Sequence, residues 1–201
     1  MLISCSDKIT GLVKASFLVS ALVSFLLLGG CDRGPEIVQI SGSKFGTTYN
    51  ITIVADQPAP ADLAEQIDAL LDVVDLAMST YKSESELSLF NRLPLGGEVM
   101  ASEGLWAVLQ TSRQVWHHSA GAFDPTVGPL VDLWGFGPQM TNDRIPEDNE
   151  IAEALASIGY QHLIVNTDKQ SISKEVTLRL DLSAVAKGYA VDQVADLLEM
   201  L

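Results

Sequence analysis

Hydrophobic residues recur at helical spacing in four stretches of the chain. Such spacing places apolar side chains on one face of a helix, where they can pack against a core. The predicted helices cover residues 63–78, 102–118, 146–158 and a last stretch that starts at Ser183 and continues to Leu201. Asp62 with Glu65 predicts a capping box for the first helix. Its acidic residues, Asp68, Asp72 and Asp75, are most simply a solvated face.

Shorter stretches favour strands. Residues 37–40 and 49–54 predict a hairpin with its turn at 41–44, and residues 163–165 and 171–173 predict a second one. The second leads into a predicted strand over 176–182, where Leu178, Leu180 and Leu182 alternate with polar residues. Hairpins near both ends with helices between them predict an α+β fold, mostly antiparallel sheet with packed helices.

The start of the chain has the pattern of a targeting segment. Lys8 and Lys14 make the first part basic, residues 15–28 are apolar, and Leu28-Gly29-Gly30-Cys31 resembles a bacterial lipobox. We expect residues 1–30 to be a lipoprotein signal peptide, Cys31 to carry the lipid, and residues 31–36 to be a linker. A plain signal peptide or a short membrane anchor is the alternative. Asp32 after the cysteine favours a bacterial inner-membrane location, lipid-anchored and facing the periplasm.

Composition narrows the class of protein. With 47% hydrophobic and 19% charged residues, the 201-residue chain is expected to fold rather than to be disordered. The formal net charge of −14 argues against nucleic acid as a partner. Cys5 and Cys31 are the two cysteines, so we expect no disulfide framework and no thiolate metal site. His117 and His118 are adjacent on a predicted helix, point in different directions and cannot chelate one ion.

The most informative stretch is 181–192, which passes from the predicted strand into the last predicted helix. Ser183 is the predicted N-cap and Lys187 lies in the predicted first turn. A lysine there opposes the helix dipole unless an anion binds at the helix start. The residues therefore favour a phosphate site, with an ordinary strand–helix junction and a solvated lysine as the alternative.

The same stretch, DLSAVAKGYAVD, resembles the signature of the ApbE family, the FAD:protein FMN transferases. Residues 45–49, 78–91 and 121–130 resemble the family in the same order, and the aromatic–glycine loop 133–138 resembles it too. The resemblance implies FAD contacts from seven residues: Phe45, Tyr81, Ala122, Phe123, Asp124, Asp181 and Lys187. It also implies that the backbone carbonyl of Ala184 is a ligand of Mg²⁺. Backbone N–H groups of Ala122 and Phe123 are expected to reach a nucleotide.

The implied activity is Mg-dependent transfer of FMN from FAD to a Ser or Thr hydroxyl of an acceptor protein, with release of AMP. The acceptor is expected to be a subunit of a membrane redox complex. In the family, the remaining metal ligands and a histidine come from a later segment without a counterpart here. We therefore expect residues 37–201 to be the N-terminal part of a flavin transferase domain. The alternatives are a non-catalytic FAD-binding periplasmic lipoprotein and an inactive truncated fragment.

Overall fold

The computed structural model describes residues 34–138 and 144–201. The predicted signal peptide and Cys31 lie outside the described residues. The described part falls into two compact units: residues 34–38 with Thr52–Pro58, and Gln39–Ile51 with the described residues of Ala59–Leu201. Every site residue discussed below belongs to the second unit. Among the described residues, no helix has the length and apolar content needed to cross a membrane.

The first hairpin pairs β1 (Glu36–Lys44) with β2 (Thr47–Ala55). Its turn is Phe45-Gly46, whose φ angles of 55° and 69° correspond to a type I′ turn. The prediction of a turn at residues 41–44 was therefore wrong. Gly42 is a strand residue that leaves room for a neighbouring ring, since a Cβ there would lie 2.5 Å from the Tyr49 hydroxyl.

Six α-helices are described: α1 Leu63–Met78, α2 Glu86–Arg92, α3 Glu103–His118, α4 Gly128–Leu133, α5 Asp148–Leu155 and α6 Ser183–Glu199. The predicted helices at 63–78 and 102–118 are confirmed within one residue. The central helix α1 packs against α2, α3 and α6. Fully buried side chains from three of these helices, Ile67, Leu87, Phe90, Leu105 and Leu109, form the centre of the core.

A second sheet has the strand order β3 (Glu98–Met100), β5 (Ser171–Lys174), β4 (Leu163–Asn166). Both pairings are antiparallel, and Val165 and Val99 each lie opposite Ile172. The predicted hairpin over 163–173 is confirmed, as is the α+β class with antiparallel sheets.

The predicted strand over 176–182 is absent from the described structure. Leu178, Leu180 and Leu182 are buried as the alternation indicates, but the segment makes only an isolated parallel bridge, between Arg179 and Val127. That bridge requires Gly128, because a Cβ there would lie 2.8 Å from the Arg179 carbonyl oxygen. Side chains rather than a neighbouring strand bind the N–H and carbonyl of Leu180 and the carbonyl of Leu178.

Several predicted helix ends were also wrong. Asp62 makes no side-chain cap to α1. Gly121 is not the first residue after α3: Ala120 takes the left-handed conformation, and the Gly121 N–H donates to the Trp116 carbonyl, which is a Schellman arrangement. The third predicted helix starts at Asp148, capped by Glu147 and Glu150, and ends at Leu155. Two short helices, α2 and α4, were not predicted.

Candidate functional site

One pocket of about 250 Å³ collects three of the predicted site residues. Phe45 comes from the first hairpin turn, Tyr81 from the loop after α1, and Lys187 from α6. These residues are far apart in the sequence and belong to three different motifs. The remaining lining residues are Asp75, Met78, Ser79, Thr80, Phe136, Ser183 and Ala186. The volume lies below the range of about 300–1,000 Å³ usual for ligand pockets, so this pocket is small for a whole drug-sized ligand.

Phe45 lies where this pocket meets two others. A largely apolar pocket of about 360 Å³ runs between the hairpin and α6, and it also includes Lys187. A polar pocket of about 510 Å³ lies beside the turn and includes Thr47 and Thr48. Phe45 is the residue that lines all three. Its backbone φ of 55° lies in the left-handed region, which is uncommon outside Gly, Asn and Asp. Such strain is often retained where a side chain must point in a set direction.

The loop that carries Tyr81 is held by Ser79. The Ser79 hydroxyl accepts hydrogen bonds from the N–H groups of Tyr81 and Lys82, both at 3.2 Å. The Ser79 carbonyl accepts from the hydroxyls of Ser85 and Ser88 at the start of α2. The loop is thus fixed while the Tyr81 ring, 70% exposed, stays free to stack on a ligand.

A second exposed ring lies next to Tyr81. The Tyr81 hydroxyl makes a long hydrogen bond of 3.5 Å to the carbonyl oxygen of Phe136, whose side chain is 76% exposed. Phe136 belongs to the loop 133–138, whose sequence resembles that of the family. Gly137 follows it, and a Cβ at Gly137 would overlap the Asp132 carboxylate. Because Gly137 has no side chain, this loop can lie close to α4.

The start of α6 differs in detail from the prediction. Leu182, not Ser183, occupies the N-cap position, and Ser183 is the first helical residue. The Asp181 carboxylate accepts a hydrogen bond of 2.8 Å from the Ser183 N–H. Asp181 therefore caps the helix from one residue further upstream. Lys187 is the fifth helical residue, one position beyond the predicted first turn, and its side chain is exposed.

Asp181 is also joined to the segment of the other predicted FAD contacts. Its N–H donates to the carbonyl of Pro125 at 2.8 Å. The neighbouring Asp124 accepts from the Thr126 N–H and hydroxyl on one oxygen, and from the Tyr160 N–H on the other. Three of the carboxylate's acceptor positions are thus used within the protein, which leaves about one for a ligand. Asp124 as an FAD contact stays a prediction.

The N–H groups of Ala122 and Phe123 are also engaged within the protein. Ala122 donates to the Ser119 carbonyl at 3.1 Å, and Phe123 donates to the Ser119 hydroxyl at 3.0 Å. The expectation that these two groups point at a nucleotide is therefore wrong for this conformation. The cause is the end of α3, where Ser119 turns its polar atoms toward the following residues. Contact through other atoms of the two residues stays a prediction.

Charges beside the site form ion pairs. The Lys44 ammonium lies 3.1 Å from Asp68 and 2.8 Å from Asp72, and the Lys82 ammonium lies 2.9 Å from Asp75 and 3.9 Å from Asp72. The prediction of a solvated acidic face on α1 is therefore correct for Asp68 and Asp72, which are 54% and 52% exposed, and wrong for Asp75, which is 13% exposed. Its hydrogen bond to Asp72 raises the pKa of Lys44, and the same bond lowers the pKa of Asp72.

The predicted metal ligand, Ala184, is the second residue of α6. A carbonyl at that position is normally the acceptor for the N–H four residues further along. Among the described residues, no group of three His, Cys, Asp or Glu side chains is placed to hold a metal ion. Mg²⁺ needs about six oxygen ligands, several of them usually carboxylates or phosphates. The described residues alone therefore do not fit a magnesium site.

Sequence reasoning missed three residues at the site. Asp75 and Ser183 line the pocket, and Ser79 both lines it and shapes the Tyr81 loop. A Ser two residues before Tyr81 is typical of turns in which a hydroxyl accepts backbone N–H groups, and that signal could have identified Ser79. In the sequence alone, Asp75 cannot be distinguished from the other acidic residues of an amphipathic helix, because its ion pair with Lys82 exists only in the folded protein.

The comparison with protein families settles the relationship. The family model described as ApbE family matches residues 45–201. The chain belongs to the ApbE family. The match begins at Phe45, so it includes all seven predicted FAD contacts.

Such relatives are found in several bacteria. The chain is 43% identical over 183 residues to the FAD:protein FMN transferase of Vibrio cholerae, a match that covers 89% of this chain and 54% of the relative. It is 36% identical over 190 residues to the protein of that name from Haemophilus influenzae, covering 91% and 55%. The chain thus spans about half the length of the curated ApbE relatives it matches.

Solved ApbE structures share the fold. The flavin transferase ApbE from Vibrio cholerae superposes with a TM-score of 0.78 at 40% identity, covering 83% of this chain and 54% of that one. The apo form of the Pseudomonas stutzeri flavinyl transferase ApbE gives a TM-score of 0.76 at 37% identity, covering 83% and 53%. The arrangement of helices and antiparallel sheets described above is therefore that of ApbE flavin transferases.

Proposed function

We propose that this chain forms the flavin-binding part of a transferase that moves FMN from FAD to an acceptor protein. One observation carries the proposal: Phe45, Tyr81 and Lys187, from three separate motifs, line one pocket. Aromatic rings can stack on a flavin or adenine ring, and an ammonium group can pair with phosphate. The names of the relatives, FAD:protein FMN transferase, support the same reaction class.

In the proposed reaction, a Ser or Thr hydroxyl of the acceptor attacks the phosphorus of the FMN half of FAD. The hydroxyl oxygen bonds to that phosphorus and the pyrophosphate P–O bond breaks. AMP leaves with the bridging oxygen, and the hydroxyl proton is released. Phosphoryl transfer depends mainly on positioning and on charge stabilisation. The roles proposed here are accordingly binding and orientation, with Lys187 facing phosphate and the two rings facing the heterocycles.

Magnesium dependence is part of the proposal, and the backbone carbonyl of Ala184 is the one ligand that the resemblance assigns among the described residues. Mg²⁺ keeps waters and substrate phosphates among its ligands, so the FAD pyrophosphate would supply some of them. No step above is assigned to the ion. Removal of divalent ions with EDTA and their replacement one at a time tests the requirement.

We also propose a location and a class of acceptor. Cys31 would carry a lipid that anchors the protein to the bacterial inner membrane, facing the periplasm, where a subunit of a membrane redox complex would be the acceptor. The support is the lipobox-like sequence, residues 28–31. A Cys31→Ser variant should lose incorporation of labelled fatty acid in cells and leave the membrane fraction. Retention of the label would contradict the assignment.

The test of the activity uses the chain with FAD, Mg²⁺ and an acceptor peptide containing Ser and Thr. We expect release of AMP together with a flavin-bearing peptide detected by mass spectrometry. Lys187→Met should weaken FAD binding, whereas Lys169→Met, which removes a lysine paired with Glu98 at the second sheet, should not. FAD binding without AMP release would favour the non-catalytic FAD-binding lipoprotein. Absence of both would refute the proposal.

A further inference from the structure

Two of the three aromatic residues that line the candidate site, Phe45 and Tyr81, are each next in sequence to a lysine that binds the same helix. Lys44 precedes Phe45 at the end of β1, and Lys82 follows Tyr81 in the loop after α1. Both ammonium groups reach carboxylates on one face of α1, and both approach Asp72, at 2.8 Å and 3.9 Å. The ion pairs therefore connect the hairpin turn to the Tyr81 loop through α1.

The shorter pairs each join a shielded side chain to a more exposed one, since Lys82 is 37% and Asp68 is 54% exposed. The side chains of Lys44 and Asp75 are 14% and 13% exposed, although Asp72 is 52% exposed. Isolated exposed pairs contribute little because solvent screens them and both side chains lose freedom. Here each lysine approaches two carboxylates, and Asp72 is common to both lysines. A network of this kind fixes geometry more firmly than a single pair.

We propose that Lys44, Asp72, Lys82 and Asp75 form a bracket that sets the separation of the Phe45 turn and the Tyr81 loop across the pocket. These four are positioning residues: they hold the two rings at the spacing that a ligand ring needs. The identity of that ligand as FAD rests on the proposed function. The bracket itself rests only on the contacts above.

The opposing interpretation is that the lysines bind the ligand directly, since both line the polar pocket beside Phe45. The two interpretations differ in what the loss of Asp72 does. If Lys44 binds phosphate directly, Asp72→Asn removes one of its two carboxylate partners, and FAD binding stays the same or strengthens. If the bracket positions the rings, Asp72→Asn weakens FAD binding as Lys44→Met does.

The experiment measures two properties of the 201-residue chain and its variants. Amide hydrogen exchange without ligand is followed in peptides that contain Phe45 or Tyr81, and the Kd for FAD is measured by flavin fluorescence. Lys44→Met and Asp72→Asn should each accelerate exchange in both peptides and raise the Kd about three- to tenfold. The double variant should be little worse than either one, because both remove the same pair.

Two control variants separate positioning from general destabilisation. Lys44→Arg keeps the charge and should retain the wild-type Kd to within about twofold. Lys169→Met breaks a comparable pair, to Glu98 at 3.2 Å, and should change neither the exchange of the two peptides nor the Kd. Thermal midpoints are recorded for all variants, so that a loss of affinity can be compared with a loss of stability.

Three results would overturn the inference. One is faster exchange in the Phe45 peptide alone, because the bracket must connect both segments. Another is an unchanged or lower Kd for Asp72→Asn beside a raised Kd for Lys44→Met. The third is equal effects from Lys169→Met. If the wild-type chain does not bind FAD at all, the proposed function fails, and the exchange data still decide whether the bracket exists.

Discussion

Replacing Phe45 tests both the geometry of the hairpin turn and the place of its ring in the site. Phe45 and Gly46 have φ angles of 55° and 69°. Type I′ turns strongly prefer Asn-Gly, since a left-handed conformation costs most other residues about 1–2 kcal/mol. A phenylalanine there is unfavourable for the hairpin turn, and its side chain lines the pockets of the site.

Two variants separate the strain from the ring. Phe45→Ala and Phe45→Asn both remove the ring, so each variant gives up nearly the same ring packing. Alanine keeps the left-handed strain, whereas asparagine adopts that conformation readily. We therefore expect the free energy of unfolding, from urea titration, to be about 1 kcal/mol higher for Phe45→Asn than for Phe45→Ala. Comparison of the two variants with each other avoids the unknown contribution of ring burial in the wild type.

The same variants report on the ligand. Stacking of a base on an aromatic side chain contributes about 1–3 kcal/mol, so both variants should lose about tenfold or more in FAD affinity. Phe45→Tyr keeps a ring and should bind FAD within about threefold of wild type. The readout is quenching of flavin fluorescence.

Two outcomes would refute this reasoning about Phe45. Equal stability of the alanine and asparagine variants would mean that residue 45 is not in a left-handed conformation. Wild-type FAD affinity in Phe45→Ala would mean that the ring is not part of the flavin site. The first outcome concerns only the backbone and the second only the ligand, so each can fail without the other.

Two further substitutions test the core beside the site. The Tyr160 hydroxyl is buried without a hydrogen-bond partner among the described residues, and burial raises the pKa of Tyr160 to about 12. Tyr160→Phe should therefore match or exceed wild-type stability at neutral pH, by about 1 kcal/mol. Between pH 10.0 and about 12 the unfolded wild type loses the Tyr160 proton while the folded protein keeps it. The free energy of unfolding of the wild type therefore falls as the pH rises through this range. Urea unfolding of Tyr160→Phe should not show this fall. Asn91 donates to the Leu180 carbonyl at 2.9 Å and accepts from its N–H at 2.8 Å. Asn91→Ala should cost about 2–4 kcal/mol in the same assay, because it removes two hydrogen bonds and leaves two backbone groups unpaired; a loss below about 1 kcal/mol would contradict this account.

The elements that were predicted best from the sequence are those that a single local pattern of apolar residues determines. Helix α1 repeats apolar residues on one face through all of Leu63–Met78, and no other local structure can bury that stripe. Helix α2 is different, since it has seven residues in a polar segment. Its formation depends on the Ser85 cap and on burial of Leu87 and Phe90 against other helices. Those contacts exist only after the chain has folded.

The site was predicted through motifs rather than through periodicity. Phe45 and Tyr81 carry little signal individually, whereas Lys187 near a helix start already indicated an anion site. The resemblance of their surroundings to the family assigned all three to FAD. The contacts that motifs do not specify were missed or wrong. The N–H groups of Ala122 and Phe123 bind Ser119, an outcome set by how α3 ends. The ion pairs of the α1 carboxylates likewise form only when folding places Lys44 of the hairpin and Lys82 of the loop beside α1.

The missing strand before α6 shows how a side chain can replace a neighbouring strand. Alternation of Leu178, Leu180 and Leu182 correctly predicts which side chains are buried, but a strand also needs a partner ladder for its backbone. Here Asn91 binds both backbone groups of Leu180, and the Asp181 N–H donates to the Pro125 carbonyl. Side-chain amides offer the same donor and acceptor as a peptide group, so the segment stays extended without a sheet.

A buried ammonium completes this arrangement and links it to the site. The Lys174 side chain, in a residue only 3% exposed, donates to the carbonyls of Phe90, Asn91 and Leu178, and burial lowers its pKa. Three carbonyl oxygens converge there, two of them at the end of α2, where the helix dipole favours a cation. A multi-donor group is needed because one hydroxyl or amide could not bind all three. Lys174 and Asn91 thus hold the extended segment that ends at Asp181, the residue that caps α6. The placement of Lys187 in the pocket depends on this chain of contacts, so residues remote from the ligand are expected to influence its binding.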